Sequence, residues 1–248
     1  MSQTIRQDQI IHILEKRGYV TVRYLVEHLH YSSATINRDL NRMEALGLVK
    51  RSYGGVEAVK KGHLPPLSQR QFYMQKEKRR VAREAARLIS NGDTVFLDGS
   101  TTVQYILPFL SEKKELRILT NNMRLAMELG DLDFDVICLG GRISERPYVL
   151  DSDETIETAQ KYQANKMFFS VDSITADGHI RGSHYMLYKT MLKNSDEAYL
   201  LTDQTKLVDR LDIRLCDFSA LSGVISDFDF PAEIKQAYPN VTFIFAGK

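Results

Sequence analysis

Short apolar runs alternate with helical segments along residues 94–245. Seven of these runs have the length and composition of buried β-strands, at residues 94–97, 117–119, 136–139, 166–171, 198–201, 223–225 and 241–245. Helical segments are predicted at 101–110, 122–129, 155–162 and 185–194. Strands that alternate with helices form a parallel sheet covered by helices. The pattern therefore predicts an α/β sandwich with a mainly parallel sheet, in which ligands bind beyond the carboxyl ends of the strands.

Charge is divided unevenly along the chain. Residues 1–90 contain 17 Lys and Arg against 8 Asp and Glu, whereas residues 91–248 contain 16 against 24. The basic N-terminal part indicates a polyanionic partner, with chance scatter of surface charge as the alternative. We predict two domains, at 1–59 and 75–248. Pro65 and Pro66 prevent regular secondary structure in a predicted linker at 60–74. The cations that follow them either contact DNA or, as we favour, form the solvated face of the next helix.

Three helices and a hairpin are predicted in the N-terminal domain. Ile10 and Leu14 belong to the apolar face of the first helix, which ends near residue 18. Thr21 caps a second helix whose apolar residues at 22, 25, 26 and 29 form one buried stripe. After a tight turn at 30–31, Ser32 caps a third helix that extends to about residue 45. Two short strands around residues 53–55 follow as a basic hairpin.

The third helix has a small, hydrogen-bonding outward face. Ile36, Leu40 and Met43 mark its buried side, so positions 34, 38 and 41 point away. A recognition helix needs such a face because its side chains approach base edges in the major groove, while the hairpin would lie along phosphates as a wing. The predicted DNA contacts are Ser32, Ser33, Thr35, Asn37, Arg38, Arg42, Lys50, Arg51, Tyr53 and Gly54. A three-helix bundle for protein contact is the alternative, but bundle packing does not account for the polar outward face.

These residues form an ordered motif. The pattern S-x-x-T-I-x-R-D-L begins at Ser32, and G-L-V-x-R and the pair Gly54-Gly55 follow it. The order and spacing resemble the winged helix-turn-helix head of the DeoR family of bacterial transcriptional regulators. Family members usually carry Arg at the position of Asn37, so the resemblance implies that this chain has an operator preference of its own.

Polar loops follow five of the predicted strands. The first loop opens a helix, so its hydroxyls and the free N–H groups of the first helical turn can cradle a phosphate; helix capping alone is the alternative. The later loops offer amides, bare backbone, a carboxylate for sugar hydroxyls and a cation for phosphate or carbonyl oxygen. The predicted effector contacts are Asp98, Gly99, Ser100, Thr101, Thr102, Thr120, Asn121, Gly140, Gly141, Asp172 and Lys206.

The same loops extend the resemblance. The D-G-S-T of Asp98 to Thr101, the T-N of Thr120 and Asn121, the later G-G and the D-x-T-K that ends at Lys206 resemble the C-terminal effector domain of the DeoR family, which is similar in fold to ribose-5-phosphate isomerase. The resemblance implies a repressor of carbohydrate genes whose effector is a phosphorylated sugar. The segment Y-V-L-D-S-D-E from position 148, the residues at 170–174 and H-Y-M-L-Y-K-T-M from position 184 depart from the family pattern, which implies an unusual sugar.

Assembly and location follow from the same interpretation. A palindromic operator requires two heads, so we expect a homo-oligomer whose effector acts on the heads through the linker. No run of about 18 apolar residues occurs and the N-terminal residues lack a secretory signal, so we expect a soluble cytoplasmic protein without membrane contact. Cys138 and Cys216 are expected as reduced thiols in a core or at a strand end.

Several chemistries are disfavoured. A phosphosugar isomerase would need Asp98 or Asp172 as the base and Lys206 to polarise the carbonyl, and we keep this enzyme only as the alternative. The six histidines are scattered, and the acids at 151, 153 and 154 suit the first turn of a helix, so no metal is predicted. The later G-G lacks the G-x-G-x-x-G of dinucleotide sites, and no cofactor is predicted.

Overall fold

A computed structural model of the chain describes residues 3–45, 48–52, 54–58, 70, 74–132, 134–144, 148–182, 184–208 and 213–247. The chain divides into two compact units, Met1–Tyr73 and Met74–Lys248. Most of the predicted linker at 60–74 lies outside the described residues. The domain boundaries at 59 and 75 therefore stay a prediction.

The first unit contains the predicted helices and hairpin. Its elements are α1 (Gln3–Arg17), β1 (Tyr19–Thr21), α2 (Val22–Leu29), α3 (Ser33–Ala45), β2 (Val49–Ser52) and β3 (Gly55–Ala58). β2 and β3 pair antiparallel as expected, and β1 adds a third strand on the other side of β3. The sequence analysis missed β1 because three residues are too few to show an alternating pattern.

Side-chain caps and one left-handed residue define the helix ends of this unit. Oγ1 of Thr21 accepts a hydrogen bond of 3.1 Å from the backbone N of Tyr24, and Oγ of Ser32 accepts one of 3.2 Å from the N of Thr35. His30 has a φ of +56° and ends α2. Both predicted caps are confirmed, as is the predicted turn before α3.

The second unit is organised around a seven-stranded sheet in which every recorded pairing is parallel. Its strands are β4 (Thr94–Leu97), β5 (Arg117–Thr120), β6 (Asp135–Cys138), β7 (Ala164–Phe169), β10 (Ser195–Thr202), β12 (Gly223–Ser226) and β13 (Thr242–Phe245). All seven predicted strands are confirmed, with ends displaced by at most three residues. The predicted fold class is therefore correct.

The strand order contains a point of reversal. The order across the sheet is β13-β12-β10-β7-β4-β5-β6, so the chain builds outward from β4 in one direction and then from β7 in the other. In doubly wound sheets the crossovers on the two sides of such a switch point leave a crevice at the carboxyl ends of the strands. The switch point of this sheet lies between β4 and β7, so the residues that follow these two strands mark where a ligand is expected to bind.

Helices cover both faces of this sheet. The α-helices are α4 (Gln75–Arg87), α5 (Met123–Gly130), α6 (Asp153–Ala159), α7 (Tyr185–Lys193) and α8 (Ala232–Ala237). Phe96 packs in one apolar cluster, and its neighbours Val95 and Leu97 pack in the other, as alternation along a strand requires. No helix of the described residues is long and apolar enough to cross a membrane.

Two features of this unit differ from the sequence analysis. The segment predicted as a helix at 101–110 is helical but forms a 3-10 helix, Val103–Phe109, that includes Pro108. Proline has no N–H to donate, which weakens the longer α-helical ladder. A small antiparallel sheet in the order β11-β9-β8 was not predicted; its strands are β8 (Ser173–Ile174), β9 (His179–Arg181) and β11 (Arg214–Asp217). These strands are too short to be separated from loops by pattern.

Candidate functional site

Helix α3 separates a buried side from an exposed side. Ile36, Leu40 and Met43 are fully buried. The exposed residues are Ser32, Ser33, Ala34, Arg38, Asn41 and Arg42, while Thr35 and Asn37 are half-buried. This arrangement confirms the predicted orientation of the helix. It leaves a surface of small, amide and guanidinium side chains that suits the major groove of DNA.

A buried ion pair anchors α3 to α1. Asp39 is 1% exposed, and its carboxylate accepts a hydrogen bond from Nε of Arg6. The Arg6 guanidinium also lies over the ring of Tyr31, 4.9 Å from its centroid. Asp39 therefore holds the recognition helix against the first helix.

The two wing cations are placed differently. Lys50 is exposed, and its Nζ lies 3.8 Å from Oε1 of Glu57 on the neighbouring strand. Arg51 instead turns onto α3, where Nη2 donates a 2.7 Å hydrogen bond to Oδ1 of Asn37. Gly54 has a φ of +74° at the hairpin turn, a conformation that favours glycine. Tyr53, predicted to contact DNA, lies outside the described residues.

In the second unit, the buried Asp98 carboxylate connects the segments that meet at the switch point. Oδ1 accepts hydrogen bonds from the backbone N of Ser100 at 3.1 Å and from its Oγ at 2.6 Å. Oδ2 accepts one of 2.7 Å from the Tyr188 hydroxyl and one of 3.2 Å from the backbone N of Ser170. Burial raises the pKa of Asp98, although these four donors act in the opposite direction. Asp98 thus joins the loop after β4 to the end of β7 and to α7.

Lys78 brings a positive charge to the same loop. It lies on the buried face of α4, where it is 3% exposed, and its Nζ donates a 3.1 Å hydrogen bond to Oγ1 of Thr101. Lys78 was not predicted as a site residue, because the cations of α4 were expected on the solvated face of that helix. The signal was available: Lys78 stands three residues before Val81 and four before Ala82, which places it on the apolar stripe of the helix.

Gly99 is closely covered by a later segment of the chain. A Cβ at this position would lie 2.9 Å from Cγ2 of Val149 and 3.4 Å from Oδ1 of Asn121. The amide nitrogen of Asn121 donates to the backbone O of Leu150 at 3.0 Å. Oδ1 of Asn121 and Oγ of Ser170 are buried without a hydrogen-bond partner among the described residues. Two unsatisfied polar atoms therefore adjoin the Asp98 loop from opposite sides.

The Gly140–Gly141 turn contacts a different part of the molecule. A Cβ at Gly141 would lie 2.3 Å from Oγ1 of Thr155 and 2.5 Å from Oγ of Ser152, and Oγ1 of Thr155 donates to the Gly140 backbone O at 2.7 Å. These glycines follow β6, an edge strand two places from β4. At about 4.8 Å between neighbouring strands, the end of β6 lies about 10 Å from the end of β4 across the sheet. The two glycines fit the start of α6.

The remaining predicted effector contacts follow the strands as expected. Thr120 and Thr102 are buried, and Oγ1 of Thr120 accepts a 3.1 Å hydrogen bond from the N of Asn122. Asp172 is buried just beyond β7, and Lys206 is half-buried in a 3-10 turn after β10. These positions place both charged residues at the carboxyl edge of the sheet.

A pair formed by His184 and Asp151 was also not predicted from the sequence. Nδ1 of His184 and Oδ2 of Asp151 are 2.7 Å apart, and the His184 ring lies edge-on to Tyr188, with 5.9 Å between centroids. Both residues belong to segments in which the sequence departs from the family pattern. Within the described part of the chain, no three His, Cys, Asp or Glu side chains form a metal-binding group.

Comparison with known proteins agrees with this architecture. Residues 6–62 match the DeoR-like helix-turn-helix domain, and residues 74–228 match the DeoR C terminal sensor domain. The glycerol-3-phosphate regulon repressor of Escherichia coli (strain K12) is 30% identical over 240 residues, which cover 95% of each chain. The lactose phosphotransferase system repressor of Staphylococcus aureus (strain N315) is 28% identical over 242 residues, covering 95% of this chain and 96% of the relative.

A solved ribose 5-phosphate isomerase from Plasmodium falciparum aligns with 54% of this chain and 54% of its own length, at 16% identity and a TM-score of 0.41. Our assignment of the fold rests on the strand order and not on this alignment. The two family matches and the repressor of 30% identity are decisive. The chain belongs to the DeoR family of DNA-binding transcriptional regulators, with a helix-turn-helix head followed by a sensor domain.

Proposed function

We propose that this protein is a repressor of carbohydrate-metabolism genes that responds to a phosphorylated sugar bound at the switch point of its sensor domain. The single observation that carries the proposal is the buried Lys78 ammonium, which donates to Thr101 in the loop after β4. A lysine ammonium next to a hydroxyl-rich loop suits a phosphate group, which needs charge and several donors at once. The names of the relatives, which refer to glycerol 3-phosphate and lactose phosphotransferase regulons, support the same ligand class.

The sugar itself would be held by groups around Asp98. Asn121 Oδ1 and Ser170 Oγ are buried polar atoms that have no hydrogen-bond partner within the described part of the chain, and such atoms are usually satisfied by water or by a ligand. A sugar hydroxyl can donate to either oxygen. Asp172 and Lys206, which follow β7 and β10, remain our further candidates for the sugar and the phosphate. In this proposal Asp98 positions the loop, because protein donors already occupy both of its oxygens.

Regulation would act through the assembly. We propose a homo-oligomer that presents two heads to a palindromic operator in the bacterial cytoplasm, as the family assignment suggests. The effector would favour one arrangement of the heads over another by its different affinity for the two arrangements.

A ligand screen tests the effector. Purified protein is heated in the presence of triose, pentose and hexose phosphates, the same sugars without phosphate, and inorganic phosphate. A ligand at 100 times its Kd stabilises the folded state by about 2.7 kcal/mol, which raises the melting temperature of a protein of this size by about 5–10 °C. We expect a rise with a phosphorylated sugar and none with its unphosphorylated form.

Two variants of α4 sharpen that screen. Lys78→Met should abolish the rise, whereas Lys76→Met, an exposed lysine two residues away, should preserve it. The active sugar phosphate should also weaken binding to operator DNA in the wild-type protein. Equal melting shifts in both variants, or unchanged operator affinity, would overturn the effector assignment.

A phosphosugar isomerase is the second candidate, and the geometry of Asp98 argues against it. A general base must have an oxygen available to take the proton from the substrate. Each Asp98 oxygen accepts two hydrogen bonds from protein groups. This argument removes Asp98 as the base and leaves Asp172 as the other carboxylate that an isomerase could use. We propose that the sensor binds its ligand without turnover. Isomerisation of ribose 5-phosphate that disappears in Lys206→Ala would contradict this proposal.

A further inference from the structure

The wing arginine is bonded to the recognition helix at three points. Nη1 of Arg51 donates to Oδ1 of Asn41, and Nη2 donates to Oδ1 of Asn37 at 2.7 Å. The backbone N of Arg51 donates to Oε1 of Glu44 at 3.0 Å. Strand β2 is therefore attached to α3 through both the main chain and the side chain of one residue.

These bonds determine how the two asparagine amides are oriented. A guanidinium can only donate, so the side-chain oxygens of Asn37 and Asn41 must face Arg51. The nitrogen of Asn37 is then directed to the first turn of the helix, where it donates to the backbone O of Ser33 at 2.9 Å and to its Oγ at 3.2 Å. Asn37 is thereby locked between Ser33 and Arg51. Because the oxygen and the nitrogen of the Asn37 amide are both hydrogen-bonded within the protein, Asn37 is better suited to position Arg51 than to contact a base itself.

The guanidinium consequently lies on the face of α3 that is directed away from the core. Asn41 is exposed and Asn37 is half-buried, and they occupy the stripe that also contains the exposed residues Ala34 and Arg38. The two side-chain bonds use two of the five N–H donors of the guanidinium. A planar fork of donors at the surface of a recognition helix matches O6 and N7 of guanine in the major groove. Lys50, its neighbour, is exposed on the strand and suits a phosphate.

We propose that Arg51 reads DNA sequence, and that Asn37, Asn41 and Arg51 act as one unit that selects guanine at one operator position. The inference rests on the DNA-binding function of the head and adds a wing residue to the specificity determinants. It departs from the expectation that both wing cations lie along phosphates. The unit explains how an asparagine at position 37 can serve recognition: it supplies the oxygen that holds the arginine from the wing.

Selection from a randomised duplex library tests the proposal. The full-length wild-type protein is used to enrich a preferred duplex, and anisotropy then measures affinity for that duplex and for a scrambled one at several salt concentrations. Removing one good base contact costs about 10- to 100-fold in affinity for the preferred sequence. We expect Arg51→Ala and Asn37→Ala each to cause such a loss while affinity for the scrambled duplex changes less than about twofold. The guanine preference at one position should disappear in both variants.

The double variant and two substitutions separate readout from phosphate contact. Arg51→Ala combined with Asn37→Ala should lose no more than the worse single variant, because members of one unit are not additive. Arg51→Lys keeps the charge without the fork, so it should lose preference like Arg51→Ala. Lys50→Ala is the matched control and should weaken both duplexes equally, lowering the salt dependence by about one phosphate contact.

Three results are decisive against the unit. Equal losses on both duplexes for Arg51→Ala, or full rescue by Arg51→Lys, would identify Arg51 as a phosphate contact and overturn the proposal. Additive losses in the double variant would show that Asn37 and Arg51 act independently, which would also overturn it. Failure of the wild-type protein to enrich any sequence would instead overturn sequence-specific binding itself. Circular dichroism of each variant verifies that the protein remains folded, so that an equal loss on both duplexes cannot be caused by unfolding.

Discussion

The Tyr188 hydroxyl donates a 2.7 Å hydrogen bond to Oδ2 of Asp98, a residue 90 positions earlier in the chain. The same hydroxyl lies 3.1 Å from the backbone O of Ser170. Asp98 follows β4 and Ser170 follows β7, so one phenol connects the two sides of the switch point to α7. The crevice that we assign to the effector is therefore held in shape by a buried polar network.

Removal of this phenol should loosen the network. We expect Tyr188→Phe to lower the free energy of unfolding of the sensor by about 1–3 kcal/mol, because a buried carboxylate loses a donor. Calorimetry of the full-length protein measures the change. Tyr185→Phe on the same helix is the control: its hydroxyl accepts a 3.2 Å hydrogen bond from the exposed Lys189, and its loss should cost less than about 0.5 kcal/mol. Equal costs for the two variants would contradict the role given to Tyr188.

Two adjacent glycines should respond differently to alanine. Gly141 has a φ of +101°, and an added Cβ would meet Thr155 and Ser152 at 2.3 and 2.5 Å, so we expect Gly141→Ala to cost about 2–4 kcal/mol. Gly140 has a φ of +72°, and an added Cβ would meet no atom within 4 Å among the described residues beyond its chain neighbours, so Gly140→Ala should cost only the conformational term of about 1–2 kcal/mol. Comparable melting temperatures for the two variants would mean that the start of α6 does not require Gly141.

The buried ion pair in the head should matter more than an exposed one. Asp39→Ala leaves the Arg6 guanidinium without its carboxylate in a setting where the two side chains are 1% and 14% exposed, and we expect a loss of about 2–3 kcal/mol. Glu27→Ala breaks the exposed pair with Arg23 and should cost at most about 0.5 kcal/mol. Urea titration followed by circular dichroism compares them. Asp39→Ala should also weaken binding to DNA, because α3 is no longer held against α1.

The two thiols should differ in reactivity. Burial, together with the charge of Asp217, raises the pKa of Cys216 to about 12, whereas Cys138 is exposed at the end of β6. Only a thiolate reacts readily with an alkylating reagent, so iodoacetamide at pH 8 should label one site in the folded protein and two after denaturation. Mass spectrometry of Cys138→Ser should show an unlabelled folded chain. Rapid labelling of Cys216 in that variant would mean that its environment is more open.

Local patterns allowed much of the fold to be predicted. Short apolar runs located all seven strands of the parallel sheet, because a strand buried on both faces is apolar along its length. A period of 3.6 residues located the buried face of α3, because only one side of that helix is buried. Short elements were missed: β1, β8, β9 and β11 have between two and four residues and contain no complete pattern. The apolar pattern at Val103–Phe109 predicts a helix, but it does not distinguish the hydrogen-bond spacing of a 3-10 helix from that of an α-helix.

The sequence predicted where the candidate site residues lie in the fold, but it did not predict which residues they contact. Asp98 and Gly99 were expected to contact the effector because they follow a strand, yet Asp98 is bonded to Ser100, Ser170 and Tyr188, and Gly99 packs against Val149. Apart from Ser100 in the same loop, these partners come from distant segments: Val149, Ser170 just after β7, and Tyr188 on α7. Position relative to a strand identifies the edge at which a residue lies, whereas its partners depend on how distant segments meet there.

The amino-acid sequence by itself determined the family, the two-part organisation, the parallel sheet and the outward face of the recognition helix. Each of these features depends on the order and spacing of residue types within a few tens of residues. Only the tertiary structure decided three hydrogen bonds: the one from Lys78 to Thr101, the one from the Arg51 side chain on the wing to Asn37 on α3, and the one from Tyr188 to Asp98. The physical reason is chain separation. These pairs are 23, 14 and 90 residues apart, and a contact between them exists only after helices and strands have packed.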